Sequence, residues 1–202
     1  MDILKEASAT LKQKIQALIN IASKGKMLDK WLKNEPYDLV IDDAWTTYFD
    51  LALPNLKEQT VKGNVTTKIA VNNFFADCVE MTSCILPNCT CAARLIFKDC
   101  TALKNVELAA ATTAAGVSVT QWHTVFNGCT ALENVKLGAG TNLNTYLYYS
   151  DNLTQECLID LIKGFADLTG ETAQTFWVGD INKARIPAEY QTMLTNKNWI
   201  LK

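Results

Sequence analysis

Phe97-Lys-Asp-Cys-Thr-Ala-Leu-Lys-Asn-Val-Glu-Leu108 is followed by a near copy, Phe126-Asn-Gly-Cys-Thr-Ala-Leu-Glu-Asn-Val-Lys-Leu137. A looser copy, Phe75-Ala-Asp-Cys-Val-Glu-Met-Thr-Ser-Cys-Ile-Leu86, precedes both. Counted from Phe to Phe, the copies start 22 and then 29 residues apart (97 − 75 and 126 − 97). Self-similarity at such a period marks a solenoid, because one unit cannot bury its apolar face alone and must stack on its neighbours. The pattern points away from a catalytic pocket and towards an extended binding surface.

The shared pattern F-x-x-C-x-x-L-x-x-V-x-L resembles the leucine-rich repeat of the bacterial surface-antigen type, found in bacterial surface proteins and in phage or prophage tail proteins. In the first copy Met81, Cys84 and Leu86 stand where Leu103, Val106 and Leu108 stand in the second. The resemblance implies a short strand at L-x-x-V-x-L, with such strands stacked into one parallel sheet. Leu103, Val106 and Leu108 would point inward. Lys104, Asn105 and Glu107 would face outward or lie at the strand edge. The expected fold class is an α/β repeat solenoid: a leucine-rich-repeat-like parallel sheet with an irregular convex side, an N-terminal helix and a helical C-terminal cap.

Three segments follow from this outline. Residues 1–35 hold the strongest helical signal, with Leu4, Ala7, Leu11, Ile15, Leu18 and Ala22 on one stripe of a helix over 2–26. Such a helix caps the open end of a solenoid or, alternatively, brings copies together as a homo-oligomer. Its heptad fit is short for a coiled coil, which favours capping. Residues 36–65 form an atypical connecting or capping region, with a strand over 37–41. The region 66–202 is the repeat region and its C-terminal cap, with a first, atypical strand over 65–71. Within it, 152–170 reads as a helix, with Thr154 as N-cap, Glu156 in the first turn and Gly170 as the stop. Ala173–Gly179 alternates as a strand, Pro187 opens a second helix, and Trp199–Leu201 is a last strand.

A net charge of −2 gives no basis for phosphate neutralisation, so no nucleic-acid partner is expected. No window of about 20 apolar residues occurs, so no membrane span is expected. Met1-Asp-Ile-Leu-Lys-Glu lacks a signal-peptide core, so export by that route is not expected of the chain as it stands. Cys78, Cys100 and Cys129 share one motif position and are expected as a buried column of small apolar side chains. Three residues cannot all pair, so the column is not a disulfide chain. Cys84-x4-Cys89-x-Cys91 lacks the C-x2-C spacing of zinc sites, and no metal is expected. Seven cysteines with no pairing pattern favour a reducing compartment or an anaerobic source.

No catalytic constellation emerges. His123 is the single histidine and sits beside Trp122, a setting for packing more than for general-base work. Asp42 and Asp43 are sequence neighbours, which do not face each other on a helix; capping suits them better than glycosidase chemistry. Gly138-Ala-Gly140 is a turn and not a nucleotide fingerprint. Three N-x-T sequons, at Asn64, Asn88 and Asn152, are incidental in an Asn- and Thr-rich chain.

Solenoids bind through their sheet face and edge loops. The candidate ligand-binding residues are therefore Asn105, Glu107, Asn134, Lys136, Tyr146, Tyr148 and Trp177. Register decides the tyrosines: either Tyr146 and Tyr148 face outward or Leu147 does. The expected function is a non-catalytic protein- or glycan-binding module without cofactor. The resemblance implies a phage- or prophage-tail or bacterial cell-surface adhesion setting, and the missing signal peptide favours a virion, or the cytoplasm, over the cell surface. The alternative is a structural component that docks or oligomerises through its N-terminal helix. Glycan hydrolysis by Asp42, Asp43 and Glu107 is least supported, because nothing brings those residues together.

Overall fold

The computed structural model describes residues 39–41, 58–60, 65–67, 75–89, 97–112, 122 and 124–202. The helix expected over 2–26, the carboxylates Asp42 and Asp43, Cys91 and His123 lie outside the described residues.

The three motif copies lie side by side. Each opens with a tight turn in which the cysteine N–H donates to the phenylalanine carbonyl: Cys78 to Phe75 at 3.3 Å, Cys100 to Phe97 at 3.1 Å, and Cys129 to Phe126 at 3.1 Å. The third residue of each turn has positive φ: Asp77 at 60°, Asp99 at 59° and Gly128 at 76°. That combination is a type II turn, which explains Asp, Asp and Gly at this position: short polar residues and glycine tolerate the left-handed region. The turns are also linked to one another, since Asp77 N–H donates to Lys98 O at 2.9 Å and Asp99 N–H to Asn127 O at 2.8 Å.

After each turn the chain extends into a strand: β4 (Ser83–Leu86), β5 (Asn105–Leu108) and β6 (Asn134–Leu137). With β2 (Glu58–Thr60) they make a four-stranded, all-parallel sheet in the order β2-β4-β5-β6. The register aligns motif position with motif position, Cys84 with Val106 and Val106 with Val135. Alternate residues are buried as period-2 patterning requires, and Leu103, Val106 and Leu108 all point inward. The sheet reaches back to Glu58–Thr60, ahead of residue 66 where the motif placed its start. Val65–Thr67 (β3) pairs instead with β1 (Leu39–Ile41) in a separate two-stranded parallel sheet.

Two buried columns hold the copies together. Phe75 and Phe97 stack at 5.5 Å between ring centroids, and Phe97 and Phe126 at 5.9 Å. Burying each ring contributes about 2 kcal/mol, with a further ~1 kcal/mol for each stacked pair. Beside them the Cys100 thiol donates to Phe75 O and the Cys129 thiol to Phe97 O, both at 2.9 Å. The cysteine is therefore more than a small apolar filler: its S–H bonds a buried carbonyl of the preceding copy.

Past β6 the pattern changes from strand to helix. Helix α1 (Gln155–Gly164) starts at Thr154, whose hydroxyl accepts from Cys157 N–H at 3.1 Å. It buries Cys157, Leu158, Leu161 and Ile162 beside β6. The Cys157 sulfur accepts from Val135 N–H at 3.1 Å and donates to Val135 O at 3.4 Å, so one thiol satisfies backbone groups of β6 on the side away from β5. The helix ends at Gly164, six residues before Gly170. Lys197 Nζ reaches the carbonyls of Ile162, Lys163 and Phe165 at 2.7–3.1 Å and closes its last turn. Gly170 has φ 85° in a turn in which Glu171 N–H donates to Leu168 O at 2.8 Å; it serves that turn and not the helix.

A second parallel sheet, in the order β7-β8-β9, is built from β7 (Thr145–Tyr146), β8 (Gln174–Trp177) and β9 (Trp199–Leu201). Helices α2 (Gly179–Lys183) and α3 (Ala188–Asn196) connect β8 to β9. Phe165 fastens the inner face of this sheet, stacking on Trp199 at 4.2 Å and meeting Phe176 edge-on at 5.0 Å.

Candidate recognition surface

The seven sequence-derived candidates fall into two groups on two different sheets. Asn105, Glu107, Asn134 and Lys136 lie on the outer face of β5 and β6, in two cross-strand rows. Tyr146, Tyr148 and Trp177 belong to the second sheet and the segment that follows β7.

On the first sheet the polar groups are paired with each other. Asn134 Nδ2 donates to Asn105 Oδ1 at 2.9 Å, and Thr154 Oγ1 donates to Asn134 Oδ1 at 3.0 Å. Lys136 Nζ meets Glu107 Oε1 at 2.7 Å, and Lys104 Nζ meets Glu133 Oε1 at 2.7 Å. The Glu107 hydrogen bond, and then its charge, raise the Lys136 pKa. A ligand on this face would have to exchange these bonds for its own, and only the difference would count towards affinity. The rows fix strand register well and offer few unmet polar groups.

The second sheet is different in kind. Leu147 is fully buried, which turns Tyr146 and Tyr148 outward and settles the register. Tyr146 pairs with Trp177, and Val178 N–H to Lys202 O (2.9 Å) with Lys202 N–H to Phe176 O (3.0 Å) extends the row to Lys202. Lys202 Nζ stands 5.8 Å from the Trp177 ring centroid, a cation–π contact. Tyr148 lies 4.4 Å from Trp177 at an interplanar angle of 34°, and Tyr149 lies 4.2 Å from Tyr148 at 31°. Tyr146 meets Trp177 edge-on at 5.9 Å. Trp177 nevertheless keeps 39% of its surface exposed, and Ile200, paired with Thr175 on the same face, keeps 48%.

The spacings decide what such a cluster can do. Rings with centroids this close overlap at a tilt, since side-by-side coplanar rings cannot approach so near. The faces of Trp177, Tyr148 and Tyr149 are largely turned on one another. The mutual tilts of 31–34° mean that the three rings share no single plane. The Tyr148 hydroxyl donates to that of Tyr149 at 2.8 Å; this bond, and then burial, push the Tyr148 pKa up to about 12.

Tyr149, Ile200 and Lys202 join the surface without a sequence signal of their own. Tyr149 follows the end of the alternation, and Ile200 and Lys202 are placed only by the β8–β9 register. Among the described residues no group of three or more His, Cys, Asp or Glu is placed to hold a metal ion, and no helix is long and apolar enough to cross a membrane. Comparison with protein-family models, with curated proteins and with solved structures returns no match for this chain.

Proposed function

We propose that the chain is a non-catalytic recognition module of the leucine-rich-repeat solenoid type, and that its partner is a protein held by the Tyr146–Trp177–Lys202 row. The setting implied by the repeat motif is a phage- or prophage-tail or bacterial-surface assembly. One observation carries the choice of surface: an exposed tryptophan is braced by Tyr148 at a tilt and Tyr146 edge-on, on a hydrogen-bonded sheet. Rigid aromatic anchors of this kind dominate protein interfaces, because they bury much apolar area with little side-chain entropy to lose. The mutually tilted rings, which offer no shared flat face, favour a protein over a glycan. The self-paired first sheet favours the second sheet as the contact.

Affinity capture with the full chain, from lysates of the source cell and of its phage, tests this when wild type is run beside Trp177→Ala and the double variant Glu107→Gln/Lys136→Met. Trp177→Ala should weaken the captured partner by about 30-fold, the effect of losing a ~2 kcal/mol hot spot. The double variant should change affinity by less than about 5-fold. The opposite order of effects would move recognition to the first sheet. Capture of a purified glycan that depends on Trp177 would exclude the protein reading.

A further inference from the structure

The cysteine column has one asymmetric member. The Cys100 and Cys129 thiols each donate to the phenylalanine carbonyl of the preceding copy, at 2.9 Å. Cys78 belongs to the first motif copy, and among the described residues its thiol bonds no carbonyl. Cys78 and Cys100 converge on the same group, since Phe75 O accepts from Cys78 N–H at 3.3 Å as well as from the Cys100 thiol. Asp77, just before Cys78, is tied to Lys98, two residues before Cys100, by a backbone bond of 2.9 Å. The strands that follow the two cysteines, β4 and β5, pair in the same sheet at a spacing of about 4.8 Å, inside the roughly 4.4–6.8 Å separation of Cα atoms that a disulfide spans.

We propose that Cys78 and Cys100 are a redox-modification site, which forms a disulfide between the first and second motif copies when the protein meets a small-molecule disulfide. The chemistry is thiol–disulfide exchange. The Cys78 thiolate attacks one sulfur of oxidised glutathione and expels the other as a thiolate, which takes up the proton Cys78 gave. The Cys100 sulfur, on losing its own proton, then attacks the Cys78 sulfur and releases the second glutathione thiol. Two protein thiols are oxidised and one disulfide is reduced to two thiols.

The electronic setting agrees with this order of attack. The Cys100 thiol beside it holds Cys78 below the ordinary thiol pKa, whereas contact with Cys78, and then burial, raise Cys100. Losing the Cys100 S–H leaves no orphan, because Phe75 O keeps its bond from Cys78 N–H. Cys129 differs from Cys78 in that its thiol is engaged, donating to Phe97 O at 2.9 Å. Both reacting sulfurs are fully buried, so exchange proceeds through local opening of the first copy and its rate follows that opening. The bridge would make the first two copies a covalent unit in an oxidising compartment and leave them separable in a reducing one.

The test is exposure of the folded full chain to oxidised glutathione, quenching with an alkylating agent, and unreduced peptide mapping by mass spectrometry. The expected product is a single Cys78–Cys100 bridge, retained in Cys129→Ser and lost in Cys78→Ser. A dominant bridge between any other pair, or a folded chain that ends glutathionylated or unbridged, overturns the proposal. Mapping the wild-type chain alone decides this even where a variant fails to fold.

Discussion

At the scale of single residues, the turn position shared by Asp77, Asp99 and Gly128 shows how the motif tolerates variation. All three adopt positive φ, but only Gly128 faces a neighbour that forbids a side chain: a Cβ there would collide with the Asp99 carboxylate of the preceding copy. Gly128→Ala combines that collision with left-handed strain and should lower stability by about 2 kcal/mol, read as a drop in the urea midpoint without a change in slope. An unchanged midpoint would mean that Asp99 swings away at no cost. The motif fixes Phe, Cys and Asp or Gly at this turn, but the turn was not among the sequence expectations, because the sign of φ is not written in the spacing. The thiol-to-carbonyl bonds were not visible, because spacing reveals a column of cysteines but not where each S–H points.

At the scale of elements, the strands at L-x-x-V-x-L and the start of α1 were legible, because apolar alternation and the Thr154 cap are local signals. Three features were not. Glu58-Gln-Thr60 carries no apolar alternation, and it is a strand because the backbone of β4 lies beside it. Helix α1 stops at Gly164, where Lys197, far along the chain, supplies the capping donors, and not at Gly170, where the sequence set the stop. The division of the seven candidates between two sheets depends on tertiary register, which no local pattern encodes. Thr154 has two duties, accepting from Cys157 N–H and donating to Asn134 on β6. Thr154→Ala should therefore cost about 1–2 kcal/mol, towards the upper part of the range for a lost N-cap, whereas Thr154→Ser should restore most of it. Equal losses in the two variants would show that packing of the Thr154 methyl, and not the cap, carries the effect.

At the scale of the whole molecule, the buried thiols make stability depend on alkaline pH. Burial pushes Cys129 up to about 12 and Cys157 up to about 11, and raises Cys84 as well, against an ordinary thiol value of 9.0. Below 9.0 both folded and unfolded chains keep these protons, and the stabilisation is complete. Above 9.0 the unfolded chain releases protons that the folded chain retains, so stability falls with rising pH until each folded value is passed. Each such thiol should remove about 1 kcal/mol per pH unit in that window, and Cys129→Ala should flatten the slope of melting temperature against pH. A slope identical in wild type and variant would remove Cys129 from the effect. The stacked phenylalanines and the thiol bonds have a separate consequence for length. Cys100 and Cys129 make the same bond to the same backbone atom one copy back, and Phe97 presents equivalent faces to Phe75 and Phe126. The second copy thus meets the first and the third through like contacts. Excising the second would leave Phe126 and Cys129 facing Phe75, whose ring and carbonyl already receive a phenylalanine and a cysteine from the second copy.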